Sequence, residues 1–337
     1  MSAAPASLNR SRDAITPALR AALDLLDDKS RHQAAYHFGW TTAAGAPVAA
    51  DGGKAVRPAL ALLSAQAVGA PAETALPGAV AVELVHNFSL LHDDLMDGDQ
   101  ERRHRRTVWA LWGPASAILT GDALLALAQE VLLDSGLPTA AAAARLLART
   151  TRGLIRGQVQ DLSFEQRTQV SVEECLDMAG GKTGALLSAS CAIGAVLAGA
   201  PDATVDRLAL FGDQLGLAFQ LTDDVLGIWG DPAVTGKSVH TDLRARKKSL
   251  PISYALGRGG AVAAELSAWL SAPGEPSEAE LRRAADLVAE AGGRDWALAE
   301  AARRMALGEA ALRGVDLDAE AREELLALAR FVVDREV

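Results

Sequence analysis

An all-α fold built as one large helical domain is what this 337-residue sequence predicts, on three observations. Apolar residues make up 50% of the chain, alanine and leucine dominate them, and aromatics reach only 4%, a composition that favours helix over strand. Long segments repeat their apolar residues at helical spacing, and no run of alternating β-branched residues occurs. Length alone would allow two domains, but no fixed-period repeat and no separate linker divides the chain, and its apolar half is enough for one sizeable core.

Residues 1–14 read as a flexible N-terminus, ahead of a single domain over 15–337. Ile15, Leu19, Leu23 and Leu26 line one side of a helix over Ile15 to Asp28, and Arg31 to Trp40 reads as a second. Gly45, Pro47, Gly52 and Gly53 then mark a loop. Pro58 suits the first turn of the next helix, and Lys54 and Arg57 beside that helix start make an anion site. Val80 to Leu91 is an apolar, helix-like approach to His92-Asp93-Asp94-Leu95-Met96-Asp97, which is followed by the cationic run Arg102-Arg103-His104-Arg105-Arg106. Helical patterns cover Pro114 to Leu133, Ala140 to Leu162 and Ser171 to Leu197, the last opened by a capping box of Ser171 and Glu174. Lys182 and Thr183 interrupt its apolar run, and a lysine so placed is rarely buried unpaired. Leu208 to Trp229 carries Asp223-Asp224, and the loop beyond supplies Lys237 and the pair Lys247-Lys248. From Ile252 onward three or four amphipathic helices follow, with breaks at 257–260, 272–276 and 292–293 and a capping box of Ser277 and Glu280; nothing there points to chemistry.

The chemistry is concentrated in the two acidic clusters. Asp93 and Asp97 are four residues apart, so on a helix they share one face about 5–6 Å apart at Cβ, with Asp94 beside them. At about 6 Å two carboxylates repel by roughly 0.7 kcal/mol in water and about 3 kcal/mol at an effective dielectric of 20. Several such pairs around one cavity call for cations, and hard oxygen ligands with room to spare suit Mg²⁺ shared with substrate phosphates.

A net charge of −10 argues against a general nucleic-acid binder, whose footprint would be basic. Local lysines and arginines still leave room for anionic small substrates. Cys175 and Cys191 are the only cysteines and lack metal-type spacing, so they read as reduced core residues of a cytoplasmic protein. The first twenty residues lack a signal-peptide pattern, and Thr183 to Pro201, the longest stretch free of charge and histidine, reads as a buried helix rather than a transmembrane segment.

Seven motifs in order, GGKAVRP (52–58), HNFSLLHDDLMD (86–97), ERRHRRT (101–107), GDALLALA (121–128), GGKTGAL (180–186), FQLTDDVLGIWGD (219–231) and GKSVHTDLRARKKSLP (236–251), resemble the trans-isoprenyl diphosphate synthases, the polyprenyl synthetase family. The resemblance covers about residues 52–251, with 252–337 as a helical C-terminal part, and it implies a helical bundle around a central cavity. It also implies about three Mg²⁺ ions per site and a homodimer.

By this resemblance Asp93, Asp97 and Asp223 hold metal, with Asp94 and Asp224 among the catalytic carboxylates. Isopentenyl diphosphate falls to Lys54, Arg57, His86 and Arg103, and the allylic diphosphate to Arg102, Lys182, Thr183, Gln220, Lys237 and Lys247. Gln158 and Asp161 line the cavity, and Lys248 is solvated. The family's usual pattern has glycine at position 104 and proline at 106; His104 and Arg106 leave the two key arginines in place and the loop's geometry open. Product length depends on the helix entering Asp93, where Val82, Val85 and Ser89 are small and Phe88 is bulky. An aromatic at that fifth upstream position resembles short-chain synthases, and the expected product is twenty-carbon geranylgeranyl diphosphate, with farnesyl diphosphate second. A class I terpene cyclase would not need the Lys54 site or a second acidic cluster. A non-catalytic partner subunit would have lost ligands that are all present here.

Overall fold

Alanine and leucine at helical spacing do produce a bundle of helices, with one two-residue β-ladder as the only sheet among the described residues. The computed structural model describes residues 5–48, 53–230 and 240–334. In chain order the elements are α1 (Ala6–Leu23), α2 (Asp28–His37), α3 (Val56–Ala67), α4 (Leu76–Met96), the strands β1 (Glu101–Arg102) and β2 (Arg105–Arg106), α5 (Val108–Trp112), α6 (Pro114–Leu133) and α7 (Ala140–Glu165). Then come α8 (Val172–Ala179), a π-helical turn (Gly180–Gly184), α9 (Ala185–Leu197), α10 (Asp202–Trp229), α11 (Thr241–Arg244), α12 (Leu250–Gly257), α13 (Gly260–Leu270), α14 (Glu278–Glu290), α15 (Gly293–Arg313) and α16 (Ala319–Val333).

The helix bearing the first acidic cluster is the core of the bundle. Leu84, Val85 and Leu91 of α4 are fully buried against Leu124 of α6 and Leu147 of α7. Around it, α3, α9, α10 and α16 share a second cluster that includes Leu60, Leu187, Phe211 and Leu328. A third joins Ile228 at the end of α10 to Leu243, Ile252, Leu266 and Leu281.

Three local expectations need correction. The N-terminus is helical from Ala6, not flexible to residue 14: Leu8 is buried in the cluster of α3 and α16, a non-local contact that a polar-looking segment conceals. The Ser171–Leu197 helix is two helices joined by the π turn, and Lys182 sits in that turn. Among the described residues five helices, not three or four, cover the chain from Ile252 on, because Gly314 ends α15 and Asp318 caps α16. The cationic run, whose geometry the sequence leaves open, folds as a hairpin. Both capping boxes form as expected, and Cys175 and Cys191 are free and buried. Among the described residues three segments, Ala72–Met96, Pro114–Leu133 and Val172–Leu197, are long and apolar enough to cross a membrane by length and composition. The first and third are mostly buried within the protein, whereas α6 leaves Ile118, Leu119 and Leu133 exposed.

Candidate active site

The first acidic cluster closes α4: the Asp97 N–H donates to the Asp93 carbonyl at 2.8 Å, so both carboxylates sit in the last turn. That is the negative end of the helix macrodipole, the wrong sign for acidic groups unless cations are near. Burial raises the Asp93 pKa, Lys182 pulls it down and Asp97 pushes it up again. Asp97 is raised by burial against the opposing pull of Lys182 and Lys247.

Lys182 reaches this place through the π turn. Its backbone nitrogen lies where a Cβ on Gly157 of α7 would come within 2.2 Å, so only glycine lets the two backbones meet there. The Lys182 ammonium donates to Asp161 Oδ2 at 2.6 Å, and Lys247 Nζ lies 4.0 Å from the same oxygen. Burial would lower the Lys247 pKa, but Asp161, Asp242, Asp224 and Asp97 together raise it. Carboxylates from both ends of the sequence pattern therefore converge on one ammonium.

Asp94 and Asp224, grouped on sequence grounds with the catalytic carboxylates, are each held by hydrogen bonds to neighbouring groups. Asp94 is 1% exposed and accepts from Arg102 Nε at 2.6 Å; burial raises its pKa to about 6 against that arginine. Asp224 accepts from Gln220 Nε2 at 2.7 Å and from the Leu250 N–H at 2.9 Å, while Gln220 Oε1 accepts from Thr183 Oγ1 at 2.8 Å. Burial and Asp242 raise its pKa to about 7. This chain of bonds ties α10 to the π turn and to the start of α12.

A cavity of about 280 Å³ opens beside α3, lined by Lys54, Arg57, His86 and Arg103 over the buried Glu83. All four residues assigned to isopentenyl diphosphate thus line one space. Arg57 Nη1 donates to His86 Nε2 at 3.2 Å, and burial with Arg57 and Arg103 holds the His86 pKa well below the ordinary range, so the ring is neutral. The Arg57 Nε is buried without a hydrogen-bond partner. Arg103 lies against Gly53, where a Cβ would come within 2.6 Å of its guanidinium. Phe219 and Val332 close the apolar side, so the C-terminal helix, read as free of chemistry, contributes a wall.

Phe88 is buried with its ring edge-on to His92 at 4.8 Å, Val85 is fully buried, and the Ser89 hydroxyl donates to the His86 carbonyl at 2.8 Å. Gln158 is buried with both amide atoms unpartnered. Lys248 is partly exposed. Lys237 lies outside the described residues.

Sequence reasoning passed over Asp242. A Cβ on Gly227 would come within 2.5 Å of its carboxylate, so Asp242 occupies the place that a side chain four residues after Asp223 would fill. The signal was the asymmetry between the clusters, Asp93 with Asp97 but Asp223 with Gly227. Among the described residues no three His, Cys, Asp or Glu side chains form a closed metal cage. Carboxylates spread over two walls with lysines between them fit Mg²⁺, which binds through one or two carboxylates and substrate phosphates.

A family model described as polyprenyl synthetase matches residues 39–288. The chain belongs to the polyprenyl synthetase family. It is 50% identical over 332 residues to the (2E,6E)-farnesyl diphosphate synthase of Mycobacterium tuberculosis H37Rv, covering 98% of this chain and 92% of that one. The geranylgeranyl diphosphate synthase of the same organism is 43% identical over 334 residues, with 98% and 94% coverage. Among solved structures, a polyprenyl synthetase from Streptomyces coelicolor A3(2) matches with TM-score 0.94 and 56% identity over 97% of this chain and 99% of that one. The geranylgeranyl pyrophosphate synthase of Corynebacterium glutamicum, complexed with isoprenyl diphosphate and magnesium, matches with TM-score 0.83 and 27% identity over 98% and 99%. As a polyprenyl synthetase, the chain is a short-chain trans-prenyl diphosphate synthase, a prenyltransferase of a family that uses Mg²⁺.

Proposed function

We propose that this synthase joins isopentenyl diphosphate to an allylic diphosphate and releases mainly fifteen-carbon farnesyl diphosphate. The observation that carries the choice is the 50% identity to a farnesyl diphosphate synthase, against 43% to a geranylgeranyl diphosphate synthase. It replaces the twenty-carbon product favoured on sequence grounds. The buried Phe88 agrees with a short product: five residues before Asp93, it lies about 7.5 Å along the helix from the reacting end.

Lys54, Arg57, the neutral His86 and Arg103 hold isopentenyl diphosphate with its double bond toward the allylic carbon. Lys182, Thr183, Gln220, Lys237, Lys247 and Arg102 receive the allylic diphosphate beside Asp93, Asp97 and Asp223. Mg²⁺, about three ions when bound, supplies Lewis acidity that neutralises the leaving diphosphate. The allylic C–O bond breaks with its electron pair leaving on the diphosphate. The isopentenyl double bond forms the new C–C bond, and the proton lost from the adjacent carbon passes to the departing diphosphate. Leu187 and Phe219 keep water from the cation. The chain acts in the cytoplasm as one catalytic domain, and it pairs with a second copy, for which the exposed Ile118 and Leu119 on α6 offer an apolar face.

The test is product sizing after incubation with isopentenyl diphosphate, Mg²⁺ and each of the five-, ten- and fifteen-carbon allylic primers. Fifteen carbons should dominate from the two shorter primers; dominance of twenty or more would overturn the choice.

A further inference from the structure

The hairpin that carries Arg102 and Arg103 turns at two non-glycine residues in the left-handed region, Arg103 at φ 52° and His104 at φ 59°. Its ladder is only two residue pairs long, Glu101 with Arg106 and Arg102 with Arg105. A two-stranded ribbon of that size does not hold its own shape in water. Something outside it must fix where the arginines point.

The fixing group is the guanidinium of Arg105. Its Nη1 donates to the Tyr36 carbonyl at 2.8 Å and its Nη2 to the Thr41 carbonyl at 2.7 Å, and the group lies 4.0 Å from the centre of the Tyr36 ring. Tyr36 returns the grip: its hydroxyl donates to the Arg106 carbonyl at 2.8 Å. Each residue's side chain thus bonds the other segment's backbone, locking the second strand to the end of α2. Tyr36 is itself held edge-on against Trp112 at 5.1 Å. Arg102 has an anchor of its own, Asp94 at 2.6 Å. Arg103 sits in the turn, over Gly53 at the mouth of the cavity that holds Lys54, Arg57 and His86.

We propose that Arg105 and Tyr36 are positioning residues for isopentenyl diphosphate, acting through Arg103; the assignment rests on the reading of that cavity given under Proposed function. Neither side chain touches substrate. A planar fork is what two divergent carbonyls require, so lysine at 105 replaces the grip only in part. Arg105 pairs with Arg102 in the ladder, but Arg102 is also held by Asp94, so loss of the clamp should fall mainly on the turn and separate the two substrates kinetically.

Full-length Arg105→Met and Tyr36→Phe are compared with the parent chain in steady-state assays, varying one substrate with the other saturating. Arg105→Met should raise KM for isopentenyl diphosphate at least tenfold while KM for the allylic substrate stays within twofold. Arg105→Lys should fall between Arg105→Met and the parent. Tyr36→Phe, which loses one hydroxyl and keeps its ring, should raise the same KM about threefold, and it decides the matter if Arg105→Met fails to fold. A fall in thermal stability or in kcat with both KM values unmoved would overturn the proposal, and so would an equal rise in both. Failure of the parent chain to consume isopentenyl diphosphate would instead refute the functional reading on which it rests.

Discussion

Replacing Phe88 by alanine tests how the fold limits product length. The side chain is 5% exposed, packed in the cluster of α4, α6 and α7, and its ring meets His92 at 4.8 Å. His92 in turn lies 3.1 Å from the Ile118 carbonyl and against Gly121, so the floor is braced by α6 and cannot simply collapse inward. A buried Phe→Ala change costs about 3–5 kcal/mol when the site does not relax. In a chain of this size each kcal/mol lowers Tm by about 2–4 °C or less. The deleted ring has about the bulk of one five-carbon isoprenyl unit, so the apolar space gained accommodates one further condensation. Thermal unfolding should show a fall of several degrees, and mass spectrometry of the products should show the main species lengthened by at least one unit. A destabilised variant that still makes the parent product would refute the reasoning, because it would place the floor elsewhere.

Two other perturbations follow from the hairpin and its neighbours. His104→Gly removes a left-handed strain of about 1 kcal/mol and should raise Tm slightly without changing either KM; a lower Tm would show that the imidazole makes a contact of its own. His37 is held down to about 3 by burial and by Arg102, Arg103 and Arg105. The unfolded chain takes up that proton near pH 6.5 and the folded chain resists it, so His37 costs stability as pH falls from about 6.5 toward 3, by up to about 1.4 kcal/mol per unit. Asp94, raised to about 6, acts in the opposite sense between its unfolded value and 6, so the clean measurement is the difference between the parent and His37→Gln in urea unfolding at several pH values. Equal pH dependence in the two would contradict the assignment.

What could be read from the chain beforehand divides by whether a feature is local. Helix α6 runs over the residues expected, and both capping boxes form, because apolar spacing and a serine three residues before a glutamate act within one or two turns. The pairing of Asp93 with Asp97 was equally legible, since helix geometry alone places them. The burial of Leu8, the π turn at Lys182 and the clamp of Arg105 on Tyr36 all depend on partners far away in sequence, which periodicity does not register. Asp94 and Asp224 look like Asp93 and Asp223 in the sequence, yet each sits about 100° further round its helix and accepts from Arg102 or from Gln220, partners that the motif does not reveal. Asp242 was hidden because its carboxylate fills space beside Gly227 rather than following a motif.

The central claim is that the acidic end of α4 and the acidic face of α10 act together on one diphosphate. Titration of Mn²⁺ in place of Mg²⁺, followed by electron paramagnetic resonance with inorganic diphosphate present, tests it in the parent chain, in Asp93→Asn and in Asp223→Asn. Each variant should lose tight metal binding that depends on diphosphate while keeping its fold, and turnover should drop by orders of magnitude in both. Undiminished diphosphate-dependent binding in either variant would contradict the claim.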